Sequence, residues 1–100
     1  MKPDEIGLDD RVGASESTVS RELDGEMVLL NLDTGIYFGL DGTGTRIWNL
    51  LAAGRTLRGV IDTLIDDYDV DAATLERDLR QLVERLSAKG LVTPIRADRT

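Results

Sequence analysis

At Asp41 the hydrophobic period of this chain changes, and the change decides its fold class. Before Asp41 the apolar residues follow strand-type patterns. "TVSREL" and "EMVLLNL" read as two strands joined by Asp24-Gly25, a strong short-range hairpin signal. "LDTGIYFGL" adds the turn Asp33-Thr34-Gly35 and a third short strand, Gly35 to Leu40. After Asp41 the spacing becomes three and four. Ile47, Trp48, Leu50 and Leu51 form one helical face, closed by Gly54. Thr56 caps a second helix with the stripe Leu57, Val60, Ile61, Leu64, Ile65 and Tyr68. Asp69 or Asp71 caps a third, with Leu75, Leu79, Leu82, Val83 and Leu86, ended by Gly90. The predicted fold is α+β and winged-helix-like: a three-stranded antiparallel sheet followed by a three-helix bundle, βββααα. "LVTPI" is a candidate for one more short strand.

The chain has 100 residues, 41% of them hydrophobic, which suits one domain with one small core. Residues 1–14 are polar and without periodicity and read as a flexible N-terminal segment. The domain proper is expected over 15–93, with a flexible tail at 94–100. There is no His and no Cys. That removes zinc sites, thiolate chemistry and every nucleophile that needs a His partner, so no catalytic residue and no metal is expected. The charged start "MKPDEIGLDD" is no secretory signal, and no apolar run approaches the ~18 residues of a membrane span. The chain reads as cytoplasmic.

Four motifs suggest chemistry. "DDYDVD" spaces Asp67, Asp69 and Asp71 like the first ligands of a calcium loop, but Ala72 stands where the loop needs Gly and Asp78 where it needs Glu. "DGTGTR" lacks the Lys-Ser/Thr ending of a phosphate loop, and a capped strand-to-helix turn explains it better. The hydroxyls of "SESTVS" have no base to activate them. A winged helix invites DNA binding through its third helix. That helix mixes Arg77, Arg80, Arg85 and Lys89 with Glu76, Asp78 and Glu84, in a protein of formal net charge −7, which disfavours phosphate attraction. A DNA-binding winged-helix regulator is the alternative reading, and a scaffold partner of another enzyme a further one.

The third strand would be a sheet edge, free to pair with an extended peptide. Alternation places Ile36, Phe38 and Leu40 on one face and Tyr37 on the other. This pattern serves a peptide-docking edge and a plain core strand equally well.

The stretch from Val19 to Val92, above all "TGIYFGLDGTGTRIWNLL" and "LVERLSAKGLV", resembles the PqqD family of RiPP recognition elements, the leader-peptide-binding domains of ribosomally made, post-translationally modified peptide pathways. The resemblance implies a non-catalytic, cofactor-free domain. The precursor's leader adds beside the third strand, in a cleft closed by the third helix, and is presented to a modifying enzyme. That enzyme is a radical-SAM protein in pyrroloquinoline quinone biosynthesis, or a leader peptidase in lasso-peptide pathways. The resemblance puts strand-pairing backbone at Thr34, Gly35, Ile36, Tyr37 and Phe38. It offers Tyr37, Leu75, Asp78, Leu79, Leu82 and Arg85 as cleft side chains, so that Tyr37→Ala weakens binding. Trp48 is assigned to the core. Gly59 departs from the family's acidic residue at that place, at a cost to helix stability and not to binding. The oligomeric expectation is a monomer or a strand-exchanged dimer.

Overall fold

The computed structural model describes residues 6–95. The expected mobility of the first five and last five residues lies outside them. Strands β2 (Thr18–Leu23), β3 (Glu26–Asn31) and β4 (Ile36–Gly39) form an antiparallel sheet in the order β2-β3-β4. Asp24 and Gly25 both take positive φ, 53° and 83°, as a two-residue turn of the twist-matched type requires. Register runs one to one through Leu23↔Glu26 and Val19↔Leu30, then through Asn31↔Ile36 and Val28↔Gly39. Three helices follow: α1 (Gly42–Ala52), α2 (Leu57–Leu64) and α3 (Ala72–Ala88). Asp41, Thr56 and Asp71 cap them, each accepting the N–H three residues on. Of the two aspartates offered for α3, Asp71 does the work. Gly54 and Gly90 close α1 and α3 with positive φ.

The helical stripes bury as their spacing requires. Leu57, Val60, Leu64, Leu79, Val83, Leu86 and Leu91 are almost wholly enclosed, together with Leu29 from the sheet, and Trp48 is buried among the core. Ile65 falls beyond the end of α2 and is exposed.

The N-terminal stretch differs from its expectation. Arg11–Ala14 form β1, which pairs antiparallel with β5 (Val92–Ile95), the strand foreseen in "LVTPI". Ile6 and Val12 join the core, Val12 with no exposed surface. The carbonyls of Leu8 and Asp10 accept the N–H groups of Arg58 and Leu57, so the segment also satisfies the first turn of α2. Arg80 reaches the Ile6 carbonyl at 2.6 Å. With only Ile6, Leu8 and Val12 among charges and glycines, these residues show no period of their own. Their order comes from partners distant in sequence, the start of α2 and the strand β5, with Val12 opposite Pro94.

Candidate functional site

One hydrogen bond fixes the phase of the β4 edge. Leu40 N–H donates to the Met27 carbonyl at 2.8 Å, while the Gly35 N–H, given to the Asn31 carbonyl at 2.7 Å, closes the turn before the strand. In an antiparallel ladder, residues alternate between bonding their neighbour strand and facing away from it. Phe38 and Leu40 therefore turn their peptide groups toward β3. Tyr37 and Gly39 turn theirs outward, and among the described residues β4 has no second neighbour. Where the strands part at Met27, the Thr45 hydroxyl inserts. It accepts the Met27 N–H at 2.8 Å and donates to the Leu40 carbonyl at 3.3 Å. Thr45 is buried, and this contact joins α1 to the start of the edge strand.

Beside the edge runs a groove of about 390 Å³. One wall is β4 and the following turn, Phe38 to Asp41. The floor comes from the start of α1, with Thr43, Gly44 and Ile47. The far wall is α3, through Asp78, Leu82 and Arg85. Asn31 fixes the distance between the walls at one end. Its buried amide donates to the Lys89 and Gly90 carbonyls at 3.1 and 3.3 Å, while its side-chain oxygen accepts the Asp33 N–H. The Arg85 guanidinium lies 5.0 Å, and the Lys89 ammonium 5.9 Å, from the centroid of the half-buried Phe38 ring. At the other end stand Asp41, occupied in capping Gly44, and Asp78, which is 3.7 Å from Arg77.

The residues named from sequence are partly gathered here. Phe38, Asp78, Leu82 and Arg85 line the groove. Leu75 and Leu79 do not: both are buried, Leu79 at 2% exposure, on the core side of α3. Tyr37 also lies elsewhere. Strand alternation sends its side chain, 70% exposed, to the outer sheet face, where it shares a hollow of about 420 Å³ with Val19, Leu23, Val28 and Leu30. Ile36 is exposed at the strand's start, and Thr34 and Gly35 form the turn before it, the Thr34 hydroxyl accepting the Ile36 N–H. Gly35 has positive φ, as its place before the strand demands.

Asn31, Thr45, Ile47 and Lys89 went unnamed as site residues. A signal existed for two of them. Asn31 continues the inward alternation of Met27 and Leu29, and Thr45 sits on the apolar face of α1, three residues before Trp48. A polar residue at a core position needs a partner, which in both cases belongs to the site's frame.

The competing motifs are engaged in the fold. Asp67 pairs with Arg46, and Asp71 accepts the Thr74 N–H at 2.8 Å, which holds its carboxyl below the usual range. The Gly44 N–H of "DGTGTR" is taken by Asp41. On the outer face of α3, Arg80 pairs with Glu76 at 3.0 Å and Arg77 leans on Asp78, so this face carries no run of unpaired cations of the kind a DNA backbone needs. No described helix is long and apolar enough to cross a membrane.

Comparison with known proteins adds an independent line. The family described as "Coenzyme PQQ synthesis protein D (PqqD)" matches residues 26–92. A solved structure described as "TbiB1 in Complex with the TbiA(beta) Leader Peptide" is 44% identical with a TM-score of 0.79, covering 86% of this chain and 99% of that one. Another, "Lasso peptide synthetase B1 complexed with the leader peptide", is 28% identical at the same TM-score, covering 84% and 99%. No curated protein matches.

Proposed function

The chain belongs to the PqqD family, and on that premise we propose that it is a non-catalytic recognition domain for the leader segment of a ribosomally made precursor peptide. The leader adds as a strand beside β4 and lies in the groove against α3. The observation that carries this reading is the free β4 edge. Among the described residues Tyr37 and Gly39 offer unpaired peptide groups, no side chain from Ile36 to Gly39 is charged, and a groove of mixed polar and apolar lining runs alongside. Both solved relatives are described with a leader peptide bound, which supports the same occupant here.

The partner we assign is a modifying enzyme of the lasso-peptide type, a leader peptidase, to which the bound precursor is handed in the cytoplasm. A radical-SAM enzyme is the partner expected if the product is a quinone cofactor. Hand-off needs moderate affinity. Main-chain pairing supplies tolerance, while ordering an extended peptide offsets several kcal/mol of contact energy. A micromolar to submicromolar complex, roughly 8–10 kcal/mol, fits that role. The domain works as a monomer in this scheme, one groove taking one leader.

The test is a ¹⁵N-HSQC titration with a synthetic leader. The amides of Tyr37 and Gly39 are expected to shift and to gain protection from hydrogen exchange, with companion shifts at Leu82 and Arg85. Shifts confined to the outer face of α3 would sink the reading.

A further inference from the structure

We propose that the groove selects its peptide by charge, and that the strand it takes carries an acidic side chain at the end of β4 nearest Ile36, seated on Arg85 and Lys89. This rests on the peptide-binding reading above and specifies what it leaves open, the chemistry of the occupant.

Three observations lead to it. First, Arg85 and Lys89 converge on one ring, Phe38, at the lip of the groove. They stand one helical turn apart on α3, where two like charges repel one another. Among the described residues neither pairs with a carboxylate, which they share with Arg11, Arg21 and Arg55 and which leaves both charges available to a ligand. In a chain of net charge −7, two cations gathered over one aromatic ring make a local positive patch. A favourable interaction with the C-terminal end of α3 accounts for their sign. It does not account for their leaning over the edge strand.

Second, the α3 wall is polarised along its length. Asp78, Leu82, Arg85 and Lys89 follow one another at spacings of four, three and four, a single stripe. Asn31, the register partner of Ile36, holds the Lys89 end of α3, so the cations adjoin the beginning of β4. Asp78 shares the other end with Asp41.

Third, the dimensions match a strand. Seven helical residues from Asp78 to Arg85 span about 10 Å, the rise of about three extended residues. A peptide with an acid at the Ile36 end and a basic or amide side chain about three residues away complements the wall throughout. Reversed, it would set like charges together at both ends, so the same polarity fixes the direction in which the strand lies.

The experiment is a display library built on the TbiA(beta) leader, each position varied in turn and selected on the full chain. Selection is repeated on the double variant Arg85→Glu/Lys89→Glu. Both side chains are at least partly exposed, and an unchanged thermal midpoint checks that the variant folds. Against the unaltered protein, one position is expected to enrich Asp or Glu. Against the double variant, the same position is expected to switch to Lys or Arg. An isolated acidic binder should lose about three- to tenfold in affinity on the double variant, the range for partly desolvated charge pairs, and less at high salt. Binders that show no acid preference, or that bind both proteins equally, overturn the inference and leave the peptide reading standing. A library that yields no binder to the unaltered protein overturns both.

Discussion

The Thr45 hydroxyl occupies a place where a backbone pair would otherwise form, between Met27 N–H and Leu40 C=O. Thr45→Val keeps the shape and removes both bonds, leaving a buried N–H without a partner. The expected cost is about 1–3 kcal/mol in urea unfolding, with Thr45→Ser recovering much of it. Asp71 makes a pH-dependent contribution. Its carboxyl is lowered chiefly by the Thr74 backbone N–H, so its stabilisation is complete above the ordinary carboxylate range and fades as pH falls through the lowered folded value. Asn caps equally well but does not titrate. Asp71→Asn should therefore flatten the acid side of the stability profile while leaving neutral-pH stability nearly unchanged, as read from denaturation midpoints across an acid series. Single residues were also the hardest scale to read from sequence. Leu75, Leu79 and Leu82 look alike in the helical pattern, yet only Leu82 reaches the groove, because the stripe is wider than the core it meets. Tyr37 was offered to the groove by the family resemblance, although strand parity puts its side chain on the other face.

At the scale of elements, β4 separates two roles that a strand usually mixes. The N–H of Phe38 belongs to the ladder with β3, and that of Tyr37 faces the open edge. Proline tests the division. Tyr37→Pro removes only the outward N–H, at a position where edge strands tolerate proline, and should leave the fold cooperative while abolishing leader binding measured by calorimetry. Phe38→Pro removes a ladder bond and should unfold the sheet. In α2, Gly59 occupies the third helical position after the Thr56 cap, and the first turn has no acidic residue. A Cβ there meets the Thr56 hydroxyl at 3.4 Å, an ordinary contact. Gly59→Glu completes a reciprocal cap and should raise stability by about 0.5–1.5 kcal/mol in chemical denaturation, with leader affinity unchanged. The elements themselves were legible because period, cap and turn residues agreed: Asp24-Gly25 for the hairpin, Asp41 and Thr56 for the helix starts. Strand β1 was not, since "RVGA" has one large apolar residue and acquires its order from distant partners, β5 above all.

Across the whole molecule, the groove is assembled from parts far apart in sequence. The edge comes from β4, the floor from α1 and the wall from α3, with Asn31 spanning to residues 89 and 90. Such a site is filled by stabilising the folded chain alone, so peptide at a hundredfold excess over its dissociation constant should add about 2.7 kcal/mol. A rise in thermal midpoint with added leader, absent in Tyr37→Pro, is the expected result. The three-stranded sheet on three helices was predictable from the change of period at Asp41. The groove was predictable only through family resemblance, since no local pattern says which helix will stand beside an edge.

The uncharged β4 edge has one further consequence. β2 carries Arg21 and Glu22, whereas Ile36 to Gly39 carry nothing that repels another strand. Two copies meeting β4 to β4 would complete a continuous sheet, and each would cover the other's groove. Such pairing rises with the square of protein concentration, while capture of a peptide rises only with the first power. Were such pairs to form, a crowded preparation would compete with its own cargo, and added leader would be expected to lower the apparent mass in light scattering.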